Sequence, residues 1–66
     1  MNPRKATPYP LPEGFLYVLQ EVVGHAPTVR DVLNATKPGT GEHERLACLV
    51  ATGVLRFGMP YLETLR

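Results

Sequence analysis

Apolar side chains recur at helical spacing soon after residue 12. Phe15 opens a series at i, i+3, i+4, i+7 and i+8, the spacing of one face of an α-helix, and the series continues with Val18, Leu19, Val22 and Val23. Pro12 and Glu13 suit a first helical turn, and Gly24 suits a C-terminal cap. The pattern predicts a first helix from Glu13 to Val23 that buries these five apolar side chains.

A capping signal marks the start of a second, shorter helix. Thr28 and Asp31 have the Ser/Thr-x-x-Asp/Glu spacing of a capping box. The helix that follows should turn three apolar residues inward: Val29, Val32 and Leu33. The stretch "NATKPGTG" carries strong helix breakers and ends this element.

The third helix is predicted to begin after Thr40 and to stop at Gly53. Glu42 and Glu44 fall in its first turn, where the helix dipole favours acidic side chains. Its inner stripe consists of Leu46, Leu49 and Val50. Cys48 is expected to be a small buried apolar residue of the same helix.

The segment after Gly53 allows two interpretations. "VLRF" is short and β-prone, and Gly58 suits a tight turn, which together predict a strand or a small hairpin. Pro60 restricts the returning segment to an edge strand or makes it the start of a short helix.

Prolines set the first twelve residues apart from the rest. Three of the seven prolines fall in "TPYPLP", and proline excludes helical conformation from the residue before it. We therefore expect an extended proline-rich arm over residues 1–12 and one domain over residues 13–66. The expected fold class is mainly α: three helices with a short C-terminal β-hairpin or single strand.

The motifs "APTVRDVLNAT" and "RLACLVATGVLRF" resemble the winged-helix segments of bacterial signalling proteins that accompany PATAN-type modules. They are more distantly similar to PqqD-like domains. The resemblance spans about residues 13–57 and implies a small winged-helix domain with a regulatory role. The chain departs from the pattern at the start of the third helix, where an apolar pair is replaced by Glu42 and His43.

Composition favours a globular domain of the cytoplasm. The chain is 44% hydrophobic and 20% charged, with a net charge of +1, as in ordinary soluble domains. Its apolar runs are too short for a membrane span, and no secretory signal pattern is visible. The single cysteine cannot form an intramolecular disulfide, in keeping with a reducing compartment.

Candidate catalytic chemistry is sparse. His43 and Cys48 stand five residues apart, so on a helix they point about 140° away from each other. Neither His-x-x-x-His nor Cys-x-x-Cys spacing occurs, and there is no phosphate-binding glycine loop. We expect no catalytic, cofactor or metal site.

The third helix is a poor candidate for reading DNA. Its N-terminal turn would meet the bases in a helix-turn-helix complex, and it carries two carboxylates that a polyanion repels. We interpret these acids as stabilisers of the helix N-terminus. The alternative, a DNA-binding winged-helix regulator, would rely on the basic residues Arg4, Lys5, Lys37, Arg45 and Arg56.

The function that remains is binding to another protein. Several large side chains are not needed by the three apolar stripes, and tyrosine is favoured at interfaces. The expected partner contacts are Tyr9, Tyr17, Arg45, Met59 and Tyr61, although Tyr61 and Leu62 would alternatively close the core. We therefore expect a non-enzymatic adaptor in a bacterial regulatory system, with a homodimer as one form of association.

Overall fold

A computed structural model describes residues 11–65 of the chain. It contains three α-helices, α1 (Phe15–Val23), α2 (Val29–Ala35) and α3 (Gly41–Ala51), followed by a short 3-10 helix, η1 (Tyr61–Leu65). The prediction of a mainly α, three-helix domain is confirmed. None of the helices within the described range is long and apolar enough to cross a membrane.

The folded body includes the two residues before the predicted domain start. Leu11 packs against the core cluster, and the carbonyl of Pro12 accepts a hydrogen bond of 3.0 Å from the Phe15 amide. The helix therefore begins two residues later than predicted. It ends as predicted at Gly24, whose positive φ of 82° favours glycine and whose amide donates to the carbonyl of Gln20. The rest of the predicted arm, residues 1–10, lies outside the described range.

The predicted capping box of α2 is confirmed. The Asp31 amide donates to the Thr28 hydroxyl, and the Thr28 amide donates to the Asp31 carboxylate at 3.0 Å. Two amide donors at the helix start are thereby satisfied within one turn of chain.

Helix α3 has the predicted start and a well-formed end. Thr40 is its N-cap residue, but the Thr40 hydroxyl donates to the carbonyl of Lys37 and does not accept from the helix. At the other end Gly53 has a φ of 84°. Its amide donates to Val50, and the Val54 amide donates to Leu49, which is the bonding pattern of a Schellman motif.

The predicted C-terminal strand or hairpin is wrong, because the backbone carbonyls that would pair within it accept hydrogen bonds from amides of α2 instead. The Met59 carbonyl accepts from the Val29 amide at 2.9 Å, and the Phe57 carbonyl accepts from the Arg30 amide at 3.0 Å. These are first-turn amides of α2, which have no partner inside their own helix. Within residues 11–65 the sheet-like pairing is a single bridge between Thr28 and Pro60. The alternative interpretation of Pro60, the start of a short helix, is the one observed.

The core lies where α2, α3 and the C-terminal segment meet. Its buried apolar side chains are Val29, Val32, Leu46, Leu55 and Tyr61. Leu33, Leu49 and Val50 pack around them, so the predicted inner faces of α2 and α3 are confirmed. The prediction that Cys48 is buried is wrong, since this residue is exposed.

Helix α1 uses a different face from the one predicted. Phe15, Leu16 and Leu19 pack against the core, whereas Val18 and Val22 are exposed. Seven of its nine residues, FLYVLQEVV, are apolar or tyrosine. Because two overlapping apolar faces share Phe15 and Leu19, the spacing alone does not select between them.

Candidate interaction surface

An apolar surface on α1 is left open to solvent. Tyr17 is 71% exposed, Val18 60% and Val22 76%. Val18 and Val22 are one helical turn apart and therefore neighbours on the helix surface. These three residues are called the α1 face below. Glu21, which is also exposed, lies one turn after both Tyr17 and Val18, so its negative charge stands between the tyrosine and the valines.

A second partly apolar surface surrounds Phe57. This ring is 44% exposed, and the guanidinium carbon of Arg30 lies 4.7 Å from its centroid, within the range of a cation–π contact. Arg56, the preceding residue, is exposed as well. Arg30, Arg56 and Phe57 are called the Phe57 platform. It combines an aromatic surface with two positive charges.

A buried polar network links α3 to η1. Glu42 retains only 2% exposure, and its two carboxylate oxygens accept from Nε and Nη2 of Arg45, each at 2.8 Å. The hydroxyl of Tyr61, itself only 2% exposed, also donates to Glu42. A buried carboxylate needs such partners, because burying it alone costs far more free energy than its contacts return.

The electrostatics of this network follow from its partners. Burial favours the neutral form of Glu42, but the hydrogen bonds from Arg45 and Tyr61 and the charge of Arg45 outweigh burial and lower the pKa of this carboxyl. For Tyr61, burial and the Glu42 carboxylate act in the same direction and raise the pKa to about 12. Glu42 is thus ionised, and Tyr61 is neutral, across the physiological range.

Three of the predicted partner contacts therefore belong wholly or partly to the interior. Tyr61 is buried and hydrogen-bonded within the fold. This agrees with the alternative prediction that Tyr61 closes the core. Leu62, which that prediction also placed in the core, is exposed. Arg45 is partly buried against Glu42, and Met59 is partly buried against the core.

The residues of the DNA alternative are distributed unevenly. Arg45 has its fork turned toward Glu42, so the cation nearest the start of α3 is engaged inside the domain. Lys37 and Arg56 are exposed on different segments. Arg4 and Lys5, like the expected partner contact Tyr9, lie outside the described range.

Histidine and cysteine do not meet on α3. The Thr36 hydroxyl has one proton, which it donates to the Val32 carbonyl at 2.9 Å. The same hydroxyl oxygen lies 3.0 Å from His43 Nδ1, which places this imidazole against the end of α2. Cys48 instead lines an open cleft with Gly41, Glu44, Arg45 and Leu49. Among the described side chains, no cluster of three or more His, Cys, Asp and Glu residues has the arrangement of a metal site.

Comparison of the chain with models of protein families, with curated proteins and with solved structures finds no match. The side chains that the fold leaves open therefore indicate where the chain can bind a partner. Of the predicted partner contacts within the described range, Tyr17 is the one that stands clear of the core. Sequence reasoning missed Val18 and Val22 because their spacing fitted the buried face equally well.

Proposed function

We propose that the chain is a non-enzymatic protein-interaction module that binds a partner protein through the α1 face. The observation that carries this is the exposure of Val18 and Val22, one turn apart on α1, and of Tyr17, about 100° further round the helix from Val18, while Phe15, Leu16 and Leu19 pack on the core. Apolar side chains grouped at the surface of a small domain mark an interaction site more often than isolated ones do.

The shape of the α1 face suits a helical or extended segment of a partner. Tyr17 supplies a large contact area and a hydroxyl at modest entropic cost, while the two valines are stiff and lose little rotamer freedom on binding. Glu21, within this face, favours a partner segment with a basic residue. An adaptor role in a bacterial regulatory system is the part of this proposal that the resemblance of the two sequence motifs to winged-helix segments supports, and a cytoplasmic location is the part that the composition supports.

DNA binding remains the competing function, and the geometry of α3 argues against it. An arginine that reads guanine must present both nitrogens of its fork to the base edge. In this fold the Arg45 fork is occupied by Glu42, and releasing it would leave a buried carboxylate without its charged partner.

The test is a capture experiment with the full chain and a matched pair of variants. Immobilised wild-type protein, the double variant Val18→Ser/Val22→Ser and the control Asn34→Ser, on the exposed part of α2, are exposed to cell lysate with and without nuclease. We expect a protein that wild type and control retain at high salt and the α1 variant does not. Recovery of nucleic acid alone, lost as salt rises, would replace this proposal with the DNA-binding alternative.

A further inference from the structure

Helix α1 is the element that the described part of the fold covers least. None of its nine residues is fully buried, although Phe15, Leu16 and Leu19 pack inward. A nine-residue helix is too short to be stable by itself in water, so its order depends on packing. A second surface placed on the α1 face would bury the apolar side chains that this helix leaves open.

The charges around the two surfaces are complementary. Glu21 lies within the α1 face, whereas Arg30 and Arg56 belong to the Phe57 platform. Asp31, the acid next to Arg30, is hydrogen-bonded to Thr28 and its side chain is only 18% exposed, so two arginines outweigh this one carboxylate. One chain therefore carries an acidic apolar surface and a basic aromatic surface.

This complementarity distinguishes two ways in which copies of the chain can associate. If the α1 face of one copy meets the α1 face of another, two Glu21 carboxylates share one interface. If the α1 face meets the Phe57 platform, Glu21 faces Arg30 and Arg56 instead. Like charges placed together at an interface disfavour it, and opposite charges steer it together.

We infer that the α1 face of one copy docks on the Phe57 platform of a second copy, so that the chain self-associates. The inference rests on the proposed function insofar as both use the α1 face. Self-association and partner binding then compete for that face. In the absence of a partner, the α1 face is buried against another copy of the chain.

Sedimentation of the purified full chain over a wide concentration range tests the inference. We expect the average mass to rise with concentration and the association to weaken at high salt. Val22→Asp and Phe57→Asp should each be monomeric, because each removes one of the two surfaces. An equimolar mixture of these variants should form a 1:1 dimer and nothing larger, since one retains the platform and the other the α1 face.

Charge variants provide a second arm that does not depend on removing apolar surface. Glu21→Lys should weaken self-association by about two- to fivefold, and Arg56→Glu should do the same. Combining the two in one chain should restore part of the loss. Circular dichroism melts of every variant establish that each is folded at the temperature of the experiment.

Two results would overturn the inference. One is a wild-type chain that remains monomeric up to millimolar concentration; the other is a discrete dimer that the Val22→Asp and Phe57→Asp mixture fails to reproduce. Neither bears on the proposed function, because capture of another protein is measured separately. A monomeric chain that still loses its partner when the α1 face is mutated would refute self-association alone.

Discussion

The hydroxyl of Tyr61 donates to the carboxylate of Glu42, joining two residues nineteen positions apart in the chain. Tyr61 opens η1 and Glu42 lies in the first turn of α3. The contact therefore attaches the C-terminal segment to the third helix. Together with the Tyr61 amide, which donates to the Pro27 carbonyl at 2.9 Å, it positions the C-terminal segment against both α2 and α3.

Removing this hydroxyl should destabilise the domain measurably. Tyr61→Phe keeps the ring in the core but leaves the buried Glu42 carboxylate with one donor fewer. We expect the free energy of unfolding to fall by about 1 to 3 kcal/mol, measured by urea denaturation at neutral pH. Tyr17→Phe is the matched control, because Tyr17 is exposed and its substitution should change stability by less than about 0.5 kcal/mol. Equal effects of the two substitutions would contradict the buried hydrogen bond.

The raised pKa of Tyr61 predicts a loss of stability at alkaline pH. Its pKa is raised from 10.0 to about 12 by folding, so between these values the unfolded chain releases a proton that the folded chain keeps. The stabilisation is fully present below pH 10 and is lost as pH rises toward 12. Unfolding free energies measured from pH 8 upward should fall more steeply in the wild type than in Tyr61→Phe. Parallel curves would mean that Tyr61 titrates normally.

The capping box of α2 predicts a complementary loss in acid. Hydrogen bonding to the Thr28 amide, the largest cause, and to the Thr28 hydroxyl lowers the pKa of Asp31 below 3.8. For a lowered pKa the stabilisation is present above the unfolded value and disappears as pH falls through the folded one. Asp31→Asn should lower the free energy of unfolding by about 1 kcal/mol at pH 7. The difference in this free energy from wild type should shrink below pH 4. Urea titrations at pH 7, 4 and 2.5 check this, and a difference independent of pH would contradict it.

Local signals in the sequence were sufficient for some elements and not for others. The capping box at Thr28 and Asp31 and the stop at Gly53 depend on residues close together in the chain, and both were predictable. The missing strand depends on hydrogen bonds between residues about thirty positions apart, from the α2 amides to Phe57 and Met59. The sequence around "VLRF" has no periodicity that would indicate such a contact.

The candidate site was less predictable than the fold for a related reason. The sequence predicts Glu42 only as a stabiliser of the start of α3, because nothing near it in the sequence indicates that Tyr61 meets it in the core. The exposed residues of α1 were equally hard to predict, since a helix that is apolar nearly all round has no unique inner face. Tyr17 lies off the centre of the predicted apolar face and of the face that packs on the core. Its exposure was the one that the pattern did indicate.

The orientation of α1 yields a final prediction that separates its two faces. Leu19 packs against the core, so Leu19→Ala should lower the unfolding free energy by about 1 to 3 kcal/mol through lost burial and an unfilled space. Val22 is 76% exposed, and Val22→Ala should alter stability by no more than about 0.5 kcal/mol. Thermal melts at low protein concentration, where self-association does not contribute, compare the two under identical conditions. If Val22→Ala were the more damaging substitution, α1 would be turned with its valines inward, and the α1 face would not exist as a surface for any partner.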